Sequence, residues 1–147
     1  MIVAVGRAKE PAFRALLDDY YARIRRYATL DEVEIREERE DKVEQAIARA
    51  MTSAGTRAEL VALDVKGKAF TSEAFAQKLG RGLDGGAVPV FAIGAAEGLP
   101  LSVRARAAWA LSLGTMTLPH RLARVVLSEQ VYRAFTILRG EPYAREG

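Results

Sequence analysis

The chain has 147 residues, of which 50% are hydrophobic and 28% charged, with no cysteine and one histidine. We therefore expect one compact domain over residues 1–147, without disulfides, thiolate nucleophiles or zinc sites built from cysteine, and no motif supports another metal site. No apolar run approaches the ~20 residues that span a bilayer, and the opening residues lack the pattern of a signal peptide, so we expect a cytoplasmic protein.

Charge is distributed unevenly along the chain. The net charge is only +3, which is too small to demand a nucleic-acid partner by itself. Residues 31–44 carry eight acidic and three basic side chains, whereas residues 99–147 carry seven arginines and three glutamates. If a polyanion binds, we expect it to bind at the C-terminal end.

Short β-rich runs alternate with helical patterns along the whole chain. The runs are MIVAVG, VEIRE, ELVALDV, VPVFAIG and ALSLG, and the helices are predicted over about 11–27, 39–54, 72–83, 101–108 and 122–139. This alternation predicts an α/β fold, a mainly parallel sheet with helices on both faces. Ligands of such sheets bind at the carboxyl ends of the strands, so the informative loops are KGKAFTS, GAAEGLP and GTMTLPH.

These loops contain no dinucleotide-binding, P-loop or nucleophile-elbow motif. They are rich in glycine and small apolar residues, which let a ligand approach the backbone closely. Such a lining suits a flat heteroaromatic ring whose edge forms hydrogen bonds with main-chain groups.

Three stretches together resemble one protein family. They are MIVAVGRAK, FAIGAAEGL and WALSLGTMTLPHRLARVVLSEQVYRAFTILRGEPYAR, and the T-L-P-H motif followed by L-x-R-V-x-x-x-E-x-x-Y-R-A is the most specific part. The chain is similar to the RlmH family of SPOUT-class methyltransferases, which methylate N3 of a pseudouridine in 23S ribosomal RNA with S-adenosylmethionine. The resemblance covers nearly the whole length.

The resemblance implies a C-terminal trefoil knot within about residues 60–147, a homodimer, and S-adenosylmethionine held by the loops of the knot. The implied cofactor contacts are Leu63, Gly94, Leu113, Gly114, Thr115, Met116, Thr117 and Leu118. For the homodimer we expect an apolar surface around Trp109 and along the last helix, at Val125, Val126, Tyr132 and Phe135.

The sequence departs from the family pattern at two positions. Ala95 stands where the family usually has glycine, which would be strained if that residue needs a positive φ. Ala144 stands where the family usually has histidine, near the proposed substrate end. The proton on pseudouridine N3 must be removed, and the candidates for this step are Glu97, His120 or a water molecule held by the tail. Glu97 could instead cap the following helix, and His120 could bond a neighbouring carbonyl.

Four residues are candidates for contacting the RNA: Arg124, Arg133, Tyr143 and Arg145. Arg124 and Arg133 are nine residues apart and should lie on nearly opposite faces of the last helix. We expect residues 142–147 to serve the RNA and not the fold, because an aromatic ring beside a cation suits an unpaired base and its phosphate. The alternatives are a SPOUT methyltransferase for another RNA and a catalytically silent ribosome-binding or RNA-binding protein.

Overall fold

A computed structural model describes residues 1–145 of the chain. Five strands and five helices alternate, and a short 3₁₀ helix follows. The elements are β1 (Ile2–Val5), α1 (Pro11–Ile24), β2 (Glu32–Ile35), α2 (Glu40–Ala54), β3 (Ala58–Ala69), α3 (Ser72–Asp84), β4 (Val88–Ile93), α4 (Leu101–Arg106), β5 (Trp109–Ser112), α5 (His120–Leu138) and a 3₁₀ helix (Pro142–Arg145).

The strands form one sheet in the order β2-β1-β4-β3-β5, and every neighbouring pair is parallel. The prediction of a parallel α/β sheet is confirmed. Since all the strands run in the same direction, their carboxyl ends lie at one edge of the sheet, and the loops that follow them meet there.

Helices cover both faces of the sheet, as the nearly continuous apolar strands predict. Along β4, Phe91 and Ile93 join the cluster formed with α1, α3 and α5, whereas Val90 and Ala92 join the cluster formed with α2 and α4. This alternation follows from the two-residue period of a strand. Residues on both sides are almost fully buried, so the sheet is the centre of a core with two layers of helices.

β3 continues through residues for which a loop was predicted. Leu63 and Lys68 both pair with Leu111 of β5, so residues 64–67 form an excursion from the sheet before pairing resumes. Gly67 allows this excursion to lie against β5, because a Cβ there would be 2.7 Å from the backbone of Ala110. The excursion directs residues 64–66 toward the carboxyl edge of the sheet.

Several helix ends differ from the predicted ones by two or three residues. α5 begins at His120, two residues early, because Pro119 takes the N-cap position and its carbonyl accepts from Ala123 N–H at 2.9 Å. α1 ends at Ile24, three residues early. None of the helices within residues 1–145 has the length and apolar character needed to cross a membrane. The trefoil knot remains a prediction.

The expected apolar dimer surface is largely used inside the subunit. Trp109 donates a hydrogen bond to Glu59 Oε1 at 2.8 Å and packs edge-on against Phe70 and Phe91. Val125, Tyr132 and Phe135 likewise pack in or against the core of α1, α3 and α5. Trp109, Tyr132, Phe135 and Val126 are nevertheless only half-buried within the subunit, so the dimer surface stays a prediction, reduced by the buried Val125.

Candidate functional site

A cavity of about 320 Å³ lies at the carboxyl edge of β3, β4 and β5. Three segments form its walls: the excursion of β3, the loop after β4, and the loop between β5 and α5. Its apolar wall includes Leu63, Ile93, Leu111, Leu113 and Leu118, and glycine, alanine and a few polar side chains form much of the rest. The structure thus brings the predicted loops together around one cavity.

Gly94 is needed for the loop after β4 to fold back on itself. A Cβ at this position would lie 2.2 Å from the carbonyl carbon of Gly98 and 2.4 Å from Leu99 N. The turn is closed by a hydrogen bond from Gly98 N–H to the carbonyl of Ala95 at 2.9 Å, and Gly98 has a φ of +83°. The close approach that requires Gly94 is therefore within the loop itself.

Ala95 fits this loop without strain. Among residues 1–145, every positive φ belongs to a glycine, so an alanine at this position costs nothing in backbone conformation. The departure from the family pattern at Ala95 is thus compatible with the loop geometry.

The side chain of Ser112 fixes the start of the loop after β5. Ser112 Oγ accepts a hydrogen bond from Gly114 N–H at 3.2 Å and donates one to the Gly114 carbonyl at 3.0 Å. Gly114 has a φ of +138°, a value that L residues rarely adopt.

Seven of the eight predicted cofactor residues line the cavity: Leu63, Gly94, Leu113, Gly114, Met116, Thr117 and Leu118. Thr115 does not line it and is exposed. Met116 is 82% exposed at the mouth, so its thioether side chain is available to a ligand.

An ion pair that the sequence did not predict lies in the cavity wall. Arg104 Nη1 of α4 lies 3.2 Å from Asp64 Oδ2, and Asp64 Oδ1 accepts from Lys66 N–H at 2.9 Å. The Lys66 hydrogen bond, aided by the Arg104 guanidinium, holds the pKa of Asp64 below its ordinary value despite burial. The available signal was position, since Asp64 is the first polar residue after the apolar run of β3.

Both candidate catalytic residues, Glu97 and His120, also line the cavity. Glu97 is exposed, and α4 begins after Pro100 without a side-chain cap, so the capping role considered for Glu97 is not observed. His120 Nε2 is buried and has no hydrogen-bond partner, so the bond to a neighbouring carbonyl is not observed at this nitrogen. In residues 1–145 no three histidine, aspartate or glutamate side chains lie together as a metal site requires.

Arg124 does not belong to a surface that RNA can reach. It is 2% exposed and donates to Tyr21 Oη at 3.2 Å and to Glu34 Oε2 at 2.9 Å, and it also pairs with Glu32. Because the guanidinium is buried against these partners, it cannot meet a phosphate, and we correct its assignment to the RNA. The sequence could not reveal this, since Glu32 and Glu34 are about ninety residues away.

The described part of the tail packs on α5. Tyr143 Oη donates to Glu129 Oε1 at 3.0 Å, the Tyr143 and Tyr132 rings have centroids 4.5 Å apart, and the Arg133 guanidinium lies 5.0 Å from the Tyr143 ring. Burial, together with hydrogen bonds to Tyr20 and Glu129, raises the pKa of Tyr143. Arg133 also pairs with Glu129 at 2.7 Å.

The expectation that residues 142–147 serve no structural purpose is thus wrong for Tyr143, which joins the tail to α5. Arg145 is exposed at the end of the 3₁₀ helix and remains a candidate for RNA contact. Residues 146–147 of this predicted segment lie outside the described part of the chain.

Comparisons with known proteins agree with this architecture. Residues 1–144 match the family described as "Predicted SPOUT methyltransferase". The chain is 52% identical to "Ribosomal RNA large subunit methyltransferase H" of Sorangium cellulosum (strain So ce56), over 98% of this chain and 97% of that protein. It is 42% identical to the protein of the same name from Anaeromyxobacter sp. (strain Fw109-5), over 97% of this chain and 96% of that protein.

Among solved structures, the chain resembles the SpoU methyltransferase AviRb from Streptomyces viridochromogenes. The TM-score is 0.52 at 15% identity, over 95% of this chain and 60% of AviRb. The structure of AviRb in complex with AdoMet gives a TM-score of 0.51 at 15% identity, over 90% of this chain and 57% of that chain. At this identity the likeness concerns the fold alone. The family match and the two relatives, each covering nearly the whole chain, show that this chain belongs to the SPOUT methyltransferase family.

Proposed function

We propose that this chain is a cytoplasmic RNA methyltransferase that uses S-adenosylmethionine to methylate N3 of a pseudouridine in 23S ribosomal RNA, on assembled ribosomes and as a homodimer. The proposal rests on the cavity taken together with the sequence identity. The chain builds a cavity from backbone and small side chains at the carboxyl ends of three parallel strands, and it is 52% identical to a ribosomal RNA large subunit methyltransferase H.

The cavity residues fit the cofactor. Leu63, Ile93 and Leu113 offer apolar area for the adenine ring, and the loops after β4 and β5 offer backbone groups for its edge. The carboxylates of Asp64 and Glu97 lie in the wall, where negative charge favours a cationic ligand. When bound, S-adenosylmethionine supplies an electrophilic methyl group on a positively charged sulfur.

The RNA face is assigned to the cations and the tail that remain accessible. Arg145 is exposed, and it follows the Tyr143 ring by two residues. Lys66 is exposed in the wall of the cavity and could meet a phosphate near the target base. Arg133 stays in the proposal as a neighbour of Tyr143, because its pairing with Glu129 fixes the surface on which the tail lies.

The homodimer is supported by a groove beside the cavity. Its apolar wall contains Phe70, Leu113 and Val126, and Gln130 lies one turn beyond Val126 on α5. Leu122, one turn before Val126, is 38% exposed. Leu122, Val126 and Gln130 lie at i, i+4 and i+8 on one side of α5. A second subunit that packed there would remove the apolar surface of Leu122 and Val126 from water.

Glu97 and His120 both remain candidates for the residue that accepts the N3 proton, since both line the cavity. The imide N3–H must lose its proton, because N3 supplies the electron pair of the new bond to carbon. His120 lies at the start of α5, and Glu97 lies on the opposite loop. Both can accept a proton.

The test is methylation of ribosomes from a strain that lacks the corresponding gene. Purified protein and S-adenosylmethionine labelled in the methyl group are incubated with 70S ribosomes, with free 23S RNA and with transfer RNA, and the modified nucleotide is mapped by mass spectrometry. We expect one methyl group on a pseudouridine of 23S RNA, and only in ribosomes. Label in transfer RNA would favour another RNA substrate, and cofactor binding without transfer to any RNA would favour a silent binding protein.

A further inference from the structure

Three residues from distant parts of the chain converge beside the cavity. Gly6 follows β1, Glu37 follows β2, and His120 begins α5. A Cβ at Gly6 would lie 3.1 Å from Glu37 Oε1 and 3.2 Å from His120 Nε2. The carboxylate oxygen and the ring nitrogen therefore lie within about 6 Å of each other, next to a position that carries no side chain.

The nitrogen at this position needs a partner. His120 Nε2 is buried without a hydrogen bond, and a buried polar atom in that state is unfavourable because it has lost its bonds to water. Glu37 Oε1 is the acceptor that approaches the same point, and Glu37 is exposed, so its side chain can rotate toward the ring. Because Nε2 is enclosed, Nδ1 is the nitrogen of His120 that remains for a ligand in the cavity.

Other charged groups lie near Glu37 and His120. Arg121, the next residue on α5, pairs with Glu10 of the segment after β1. Glu97 lines the same cavity as His120, and Arg104 is paired with Asp64 across it. Arg121 and Arg104 thus have carboxylate partners of their own, and Glu37 is the carboxylate whose oxygen approaches the ring of His120 at Gly6.

We propose that Glu37 is a positioning residue that holds Nε2–H of His120, so that Nδ1 accepts the N3 proton of the substrate base. This inference rests on the proposed function. The N3–H bond breaks, its electron pair forms the bond from N3 to the methyl carbon, and the carbon–sulfur pair stays with sulfur. The proton goes to Nδ1, and the resulting imidazolium is stabilised by the Glu37 carboxylate before it releases the proton to water.

This arrangement follows a known pattern, in which a base within reach of the reacting group is oriented by a third side chain. Gly6 is part of it, because any side chain there would contact both Glu37 and His120. The φ of +96° at Gly6 independently favours glycine.

The first experiment uses NMR of the free, full-length protein labelled with ¹⁵N-histidine. His120 is the only histidine, so its ring signals need no further assignment. We expect a ring Nε2–H resonance protected from exchange with water in the wild type and in Glu38→Ala, the matched loss of a neighbouring charge. In Glu37→Ala the resonance should be lost to exchange, and Glu37→Gln, which retains an acceptor oxygen, should restore it.

The second experiment measures steady-state methylation of ribosomes at saturating cofactor. We expect Glu37→Ala to lower kcat about 10- to 100-fold with the KM for ribosomes within about 2-fold, and His120→Asn to lower kcat about 100-fold or more. The double variant should be no slower than His120→Asn alone, since the two residues act as one unit.

Equal kcat values for Glu37→Ala and Glu38→Ala, or additive losses in the double variant, would overturn the proposal, as would an unchanged Nε2–H resonance in Glu37→Ala. If the wild-type protein methylates no ribosome, the proposed function fails and the proton-acceptor role fails with it. The resonance alone still decides whether Glu37 holds His120, so the two failures are distinguishable.

Discussion

The two ends of α5 lie in regions built in opposite ways. At the start of the helix, His120 has a buried nitrogen without a partner and the preceding loop is mostly exposed. Near its end, Glu129 accepts hydrogen bonds from Tyr143 and Arg133, and Tyr143 packs on Tyr132. One nitrogen of His120 near the cavity thus lacks a hydrogen bond, whereas the polar groups near the tail are satisfied by the chain. Substitutions of residues that only line the cavity should change binding, and substitutions of side chains that are paired within the chain should change stability.

The largest expected effect is at the cavity end, with Gly94→Ala and Gly94→Val. Because the Cβ itself would lie 2.2 Å from Gly98, both variants should displace the loop and lower the affinity for S-adenosylmethionine about 1,000-fold, or about 4.1 kcal/mol. Calorimetry measures this. Gly82→Ala in α3 is the control, since its Cβ would meet only Ala87 at 3.9 Å.

If the Val variant loses binding but the Ala variant does not, contact with the ligand and not packing of the loop would explain Gly94. The unfolding transition should remain cooperative in both variants, because most of the displaced loop is exposed. Within it, only Leu99 belongs to a core cluster and Ala95 packs against that cluster.

The next effect sharpens the contrast by testing Arg124, a polar group satisfied by the chain. Arg124→Met leaves the carboxylates of Glu32 and Glu34 without their buried partner, and we expect a loss of about 3 kcal/mol in the free energy of unfolding in urea. Arg121→Met removes a more exposed pair with Glu10 and should lose at most about 1 kcal/mol. Unchanged stability with weaker ribosome binding would return Arg124 to the RNA surface.

A smaller effect concerns Asp64, which is satisfied by the chain although it lines the cavity. The folded pKa of Asp64 lies below its ordinary value, so the ionised carboxylate stabilises the protein above the ordinary pKa, and this contribution is lost as pH falls through the folded pKa. We expect Asp64→Asn to lower the free energy of unfolding by about 1–2 kcal/mol at neutral pH and by much less in acid.

Asp18→Asn is the matched control, because Asp18 is 64% exposed in its pair with Arg14. A gap between wild type and Asp64→Asn that persists unchanged down to acid pH would show that the lost interaction does not depend on the carboxylate charge.

The smallest expected effect is at the tail end. Tyr143→Phe removes the hydrogen bond to Glu129 and should lower the free energy of unfolding by about 1 kcal/mol, measured in urea, while cofactor affinity stays the same. Arg145→Ala should leave stability unchanged and reduce methylation of ribosomes, because this side chain is exposed. A loss of cofactor affinity in Tyr143→Phe would mean that the two ends of α5 are coupled.

The sequence predicted the sheet, its two covered faces and most of the cavity wall, because apolar periodicity and strand–loop order are local properties. It could not predict the pairing of Arg124 with Glu32 and Glu34, which depends on how α5 packs near β2. It also misjudged Tyr143, since aromatic character does not say whether an RNA base or the same chain packs on the ring.

The cavity residue Asp64 was missed for a different reason. In the sequence, a strand interrupted by an excursion has the same pattern as a strand followed by a loop. Only the structure shows that pairing resumes, since Leu63 and Lys68 both pair with Leu111. Gly67 is a local indication of the excursion itself, and its meaning depends on the closeness of Ala110.

Because of the excursion of β3, the number of residues in this part of the cavity wall does not determine the register of the sheet. Since Leu63 and Lys68 meet the same residue of β5, an insertion or deletion within residues 64–66 would leave the pairing on either side unchanged. Loop length itself has little influence on stability, about 0.6 kcal/mol for each doubling. This segment is therefore where the chain can tolerate changes in length during evolution or engineering, and where ligand preference can change while the fold stays the same.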